Sequence, residues 1–142
     1  MIGIDEALPQ FSLENVLGET ISLKDLTKKP VILLFSTQKF VKSLDEWYQR
    51  LANEFSADEI NIVPIGVLNK LPSFVPSSAI KVRLKKETTA PILMDMKGEV
   101  AKQFQITEDG AYIIFADKSH TVRKAEMELS DSLLDDIQKL AK

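Results

Sequence analysis

Hydrophobic positions along the chain change period several times, and each change marks an element. "FSLENVLGETISL", Phe11 to Leu23, alternates apolar and polar residues on either side of Gly18, the pattern of two short strands around a turn. "KDLTKKP" offers one helical turn, closed by Pro30 because a residue before proline is pushed out of helical geometry. "VILLFST" is continuously apolar and β-branched up to its final polar pair, which suits a strand buried on both faces and makes it the central strand. From Ser43 to Phe55 the period becomes helical, with Leu44, Trp47, Leu51 and Phe55 on one face.

"INIVPIGV" returns to strand character, so strand, helix and strand form a right-handed crossover. Pro64 lies inside it and cannot donate to a ladder, so this strand is expected near an edge, bulged or short. "LNKLPSFVPSS" reads as a loop, and "SAIKVRLKKE" as a helix with Ser77 or Ser78 as its N-cap. "APILMD" gives a strand from Pro91 to Met94, and "KGEVAKQFQI" a turn and a short helix. "GAYIIFAD" and "TVRKAEME" form an antiparallel hairpin through "KSH", and "SDSLLDDIQKLAK" a closing amphipathic helix. No internal repeat or linker divides the 142 residues, so one α/β domain is expected.

Composition narrows the chemistry. The net charge of −3 supplies no broad attraction for nucleic acid or anionic lipid, and no apolar run approaches the roughly 20 residues of a membrane-spanning helix. Neither nucleic acid nor membrane is therefore expected as a partner. With Asp5 and Glu6 near its start and no cationic, apolar leader, "MIGIDEALPQ" does not read as a signal peptide. A cytoplasmic protein, or an exported one whose leader has been removed, is the expectation. The chain has no cysteine, which excludes disulfides, thiolate metal sites and thiol catalysis. No phosphate-cradling or dinucleotide motif occurs, and neither cofactor nor metal is expected.

Four stretches carry a resemblance. "ALPQFSLENVLGETISLKDL", "KPVILLFST", "APILMDMKGEVAKQFQI" and "GAYIIFADKSHTVR" are similar, in order and spacing, to segments shared by peroxiredoxins of the AhpC/TSA family and by TlpA/ResA-type thiol-disulfide oxidoreductases. The resemblance implies a thioredoxin-like fold: a central mixed sheet flanked by helices, preceded by a β-hairpin. It also implies where the chemistry has gone. The oxidoreductases carry two cysteines where the helix after the central strand begins, and these positions fall on Phe40 and Ser43. A cis-proline precedes their penultimate strand, facing the cysteines and presenting backbone to an extended substrate, and here the sequence reads Gly110–Ala111, with Ala111 where the proline would be. A non-proline cis bond costs about 2.5 to 4 kcal/mol, so that peptide is expected trans. Disulfide exchange and peroxidase chemistry are both excluded by the missing sulfur.

The segment "STQKFVKS" then admits two readings. In one, Ser43 caps the helix, accepting from the Glu46 N–H in a capping box. In the other, Lys39, Phe40 and Lys42 form an exposed cationic and apolar patch where the cysteines would stand, open to a protein partner. Phe40 could also fold back into that site. His120 is the only histidine and reads as an exposed turn residue. Asp131, Asp135 and Asp136 read as the solvated face of the last helix, and "KVRLKKE" as a solvated basic face. The functional expectation is a redox-inactive thioredoxin-like domain acting as a protein-interaction or binding module. The alternatives are a non-thiol enzyme on the same scaffold, or a subunit of a redox complex whose partner supplies the cysteines.

Overall fold

The computed structural model describes residues 1–26, 28–72 and 74–141. Thr27, Ser73 and Lys142, which the expected turn, loop and last helix included, lie outside the described residues. Strands β1 (Ser12–Glu14) and β2 (Thr20–Ser22) form the expected hairpin. Its turn is built by Asn15, whose Oδ1 accepts from the Leu17 and Glu19 N–H groups at 2.9 Å, and by Gly18, whose φ of +85° favours glycine.

The main sheet contains β3 (Val31–Thr37), β4 (Asn61–Val67), β5 (Leu93–Asp95), β6 (Ala111–Ala116) and β7 (Val122–Glu126), in the order β5-β4-β3-β6-β7. β3 is central, parallel to β4 and antiparallel to β6. Val31 to Phe35 are 0% exposed, and burying such side chains contributes about 1.5 to 3 kcal/mol each, enough to hold this segment at the centre.

Alternation along β3 divides the core. Ile32 and Leu34 face the layer of α1 (Val41–Glu54), α2 (Ser77–Glu87) and α4 (Asp131–Leu140), where they meet Leu44, Leu51, Ile80, Leu84 and Ile137. Leu33 and Phe35 face the other layer, which includes Phe11, Leu23 and, beyond α3 (Glu99–Gln103), Phe104. Trp47 is partly buried and packs on the first layer, while Leu51 is fully buried.

Pro64 sits within a seven-residue strand second from the edge, without a bulge in its pairing. Proline is tolerated because the β5 ladder begins only at Ile65, leaving Pro64 without a neighbour on that side. The N-cap of α2 is Pro76, correcting the expectation of Ser77 or Ser78, both of which are helical. The φ of −70° that proline favours suits the cap, and the Pro76 carbonyl accepts from the Ala79 and Ile80 N–H groups. Among the described residues, no helix is long and apolar enough to cross a membrane.

Candidate functional site

The carboxyl end of β3 leads directly into the segment where cysteines would stand. A 3-10 turn, Gln38–Phe40, follows Thr37 and continues into α1 at Val41. Val41 is buried, and its apolar contacts draw the helix start toward β3. Phe40 is therefore the N-cap, and Ser43 is the third helical residue. The capping-box reading fails: no side chain caps α1, because the helix has begun before Ser43 could take that place. Lys39, Phe40 and Lys42 are exposed and Ser43 is half-buried. Phe40 remains 37% exposed and does not fold into the core.

On the β6 side, this end of the sheet is closed by polar ties. The Thr37 N–H donates to the Gly110 carbonyl at 3.0 Å, and the Gly110 N–H donates back to Thr37 Oγ1 at 3.0 Å. Ala111 is buried and pairs with Ser36. No peptide bond among the described residues is cis, so Gly110–Ala111 is trans. Asp109 binds Lys70 at 3.0 Å and approaches Lys39 at 4.0 Å. The hydrogen bond from Lys70, helped by both lysine charges, holds the Asp109 carboxyl below its ordinary value. Both polar groups of the Gly110 peptide backbone are thus occupied from within, at the position where the resemblance implies that a substrate would dock.

On the α2 side, the same end is open. A groove of about 690 Å³ lies between the start of α1, the loop 68–76 and α2. Val41, Leu68, Leu71, Val75, Ile80 and Leu84 line it. Lys39, Gln38, Arg83 and Glu87 supply its polar side chains. Phe74, in the loop, is 84% exposed. Only Lys39 among the site residues expected from sequence lines this groove. The signal for the rest was Leu68, Leu71 and Val75 recurring within a segment read only as loop.

The carboxylates near this end have structural roles. Asp95, at the end of β5, is buried and accepts from the Ala101 N–H at 2.9 Å and the Val100 N–H at 3.4 Å, fastening α3 to the sheet. Burial raises its pKa, opposed by those backbone donors and that of Gly98. Gly98 has φ +72°, which favours glycine, and a Cβ there would stand 2.7 Å from Asn69 Nδ2, an exposed side chain that would have to shift.

The other candidates do not converge on a site. His120 has φ +61° and is half-buried rather than exposed, because its Nε2 lies 2.7 Å from the Leu26 carbonyl, to which it donates. Asp131 pairs with Arg50, Asp136 binds Lys124 at 3.1 Å, and Asp135 is exposed. Of the basic run on α2, Lys81 pairs with Glu14 and Arg83 binds Glu87 at 3.0 Å. Among the described residues, no cluster of three His, Cys, Asp or Glu side chains could hold a metal.

Comparison with known proteins agrees with this architecture. The family model described as AhpC/TSA matches residues 4–128. No curated protein matches the chain. Among solved structures, a putative thiol:disulfide interchange protein DsbE from Chlorobium tepidum is similar over 100% of both chains, with TM-score 0.80 and 15% identity. Peroxidoxin BcpB from Mycobacterium tuberculosis is similar over 99% of this chain and 97% of its own, with TM-score 0.69 and 19% identity. An exposed lipoprotein thioredoxin from Streptococcus pneumoniae is similar over 93% of this chain and 100% of its own, with TM-score 0.68 and 19% identity. At these identities the likeness establishes a shared thioredoxin-like fold.

Proposed function

The chain belongs to the AhpC/TSA family, and from that premise we propose that it is a thiol-free member that works as a protein-interaction module. Its binding surface is the face where the cysteines would stand. With no sulfur in the chain's site positions and no cysteine anywhere, neither disulfide exchange nor thiol-dependent peroxide reduction has a nucleophile, and fold alone does not carry activity. The observation that carries the reading is the apolar groove lined by Val41 and Val75, which the exposed Phe40 and Phe74 adjoin in sequence. Exposed aromatic side chains beside an apolar concavity are the usual anchors of protein interfaces. Asp95 and Asp109, at this end, are committed to α3 and to Lys70, which favours binding over acid–base chemistry.

The test is a photoreactive benzophenone side chain placed at position 40 or 74 of the full chain in its native cell, with Lys118 as control. Lys118 lies in the β6–β7 turn, at the opposite end of β6 from Gly110. Discrete protein adducts from positions 40 and 74, absent from 118, are expected. Equal labelling from all three positions, or none from 40 and 74, would overturn the reading.

A further inference from the structure

We propose that the groove receives an acidic amphipathic helix of a partner protein, with apolar side chains two turns apart seated between α1 and α2 and a carboxylate against Lys39. This rests on the protein-interaction reading and specifies what kind of segment binds.

Backbone chemistry separates a helix from an extended peptide. The donors along the groove's loop wall are already used: Leu68 N–H to the Asp95 carbonyl, Leu71 N–H to Leu68 and Val75 N–H to Pro72. Pro72 has no donor. β3 is paired on both sides, and β4 is paired with β5 over Ile65–Val67, so neither offers a free strand edge at its carboxyl end. An extended peptide buried here would find no strand edge to pair with and no free donor on these lining residues for its C=O groups, and each buried group left unpaired costs about 1 to 3 kcal/mol. A helix brings its backbone already hydrogen-bonded and presents only side chains.

Charge chooses the polar partner. Lys39 is 80% exposed at the side chain and stands 4.0 Å from Asp109, which Lys70 holds more closely at 3.0 Å. Lys42 is exposed in the first turn of α1, a turn with no acidic residue and no capping side chain. Arg83, across the groove, is engaged by Glu87. Two lysines thus share the single carboxylate of Asp109 while Arg83 is balanced by Glu87, so the charge left over beside the groove is positive, on a chain of net charge −3. Phe40 and Phe74 are exposed and adjoin in sequence the lining residues Val41 and Val75, adding apolar surface that a macromolecule, more than a small ligand, could cover.

Random peptides of about 18 residues, roughly five helical turns, displayed and selected against the full chain, provide the test. Counter-selection uses Ala79→Trp and, as a second block, Ala79→Glu; Ala79 is exposed and lines the groove, so neither disturbs the core. Dispersed amide NMR spectra check that both variants fold. Enriched peptides should carry apolar residues at i, i+3 or i+4, and i+7 beside Asp or Glu, and become helical on binding. They should lose about tenfold or more in affinity with Ala79→Trp, equivalent to about 1.4 kcal/mol, and lose affinity with Lys39→Glu. Binders of alternating, extended pattern that Ala79→Trp still blocks would overturn the helix and leave the interaction module standing. Dodecanoate binding without any groove-dependent peptide would assign the site to acyl chains and overturn both, as would no groove-dependent ligand at all.

Discussion

The two sides of the carboxyl end of β3 differ in what closes them. Toward β6, Thr37 and Gly110 exchange hydrogen bonds, and Asp109 gathers Lys70 and Lys39. Toward α2, apolar side chains line an open groove of about 690 Å³. Polar groups near a surface can satisfy one another within one chain, and once paired they offer little to an extended substrate. Apolar surface left open gains free energy only when something covers it. The backbone at Gly110 is tied off, and the open surface lies on the opposite side of the same strand.

The largest expected effect breaks the closed side. Thr37→Val removes the Oγ1 that accepts the Gly110 N–H, and should lower unfolding free energy by about 1 to 2 kcal/mol, with Thr37→Ser largely restoring it. Ala79→Leu, which enlarges an exposed residue in the open groove, should stay within about 0.5 kcal/mol of the parent. Urea unfolding of the three variants measures the contrast, and equal destabilisation by Thr37→Val and Ala79→Leu would erase it.

A smaller effect, of opposite sign, lies beneath both sides. Ser36 is 0% exposed, and its hydroxyl has no hydrogen-bond partner. By alternation it faces the α1 layer with Ile32 and Leu34. Ser36→Ala removes an unsatisfied buried polar group and should raise unfolding free energy by about 1 kcal/mol. A loss of stability would mean that the hydroxyl makes a bond in solution, through water.

The smallest effect is electrostatic. The Asp109 carboxyl, followed by carbon-detected NMR, should titrate below 3.8, and Lys70→Met should move it upward. Because the folded value is depressed, any stability this group contributes is present above the ordinary carboxylate range and is lost as pH falls through the folded value. A midpoint unmoved by Lys70→Met would show that the lysine does not close this side.

Much of the fold was legible because its signals are local. The unbroken apolar run of β3 announces burial on both faces, and Leu44, Leu51 and Phe55 mark the α1 face at helical spacing. The start of α1 was harder to place. Ser43 and Glu46 satisfy the spacing of a capping box, a pattern that takes no account of what Val41 will touch. Buried contact at Val41 won over the local cap. His120 was placed in its turn, but its bond to Leu26 joins residues 94 positions apart and leaves no mark in the local pattern.

The sequence by itself determined the order of elements, the family, and the loss of thiol chemistry, because each depends on residue identity and short-range periodicity. Only the tertiary structure decided which side of β3 is closed and which is open. Thr37 and Gly110 are 73 residues apart, and Lys70 and Asp109 are 39 apart, and neither pair is implied by its neighbours in sequence. The groove likewise exists because a loop and a helix that follow β4 stand away from the first turn of α1. Long-range pairing is set by how the layers stack, and that is settled by the free energy of the whole core.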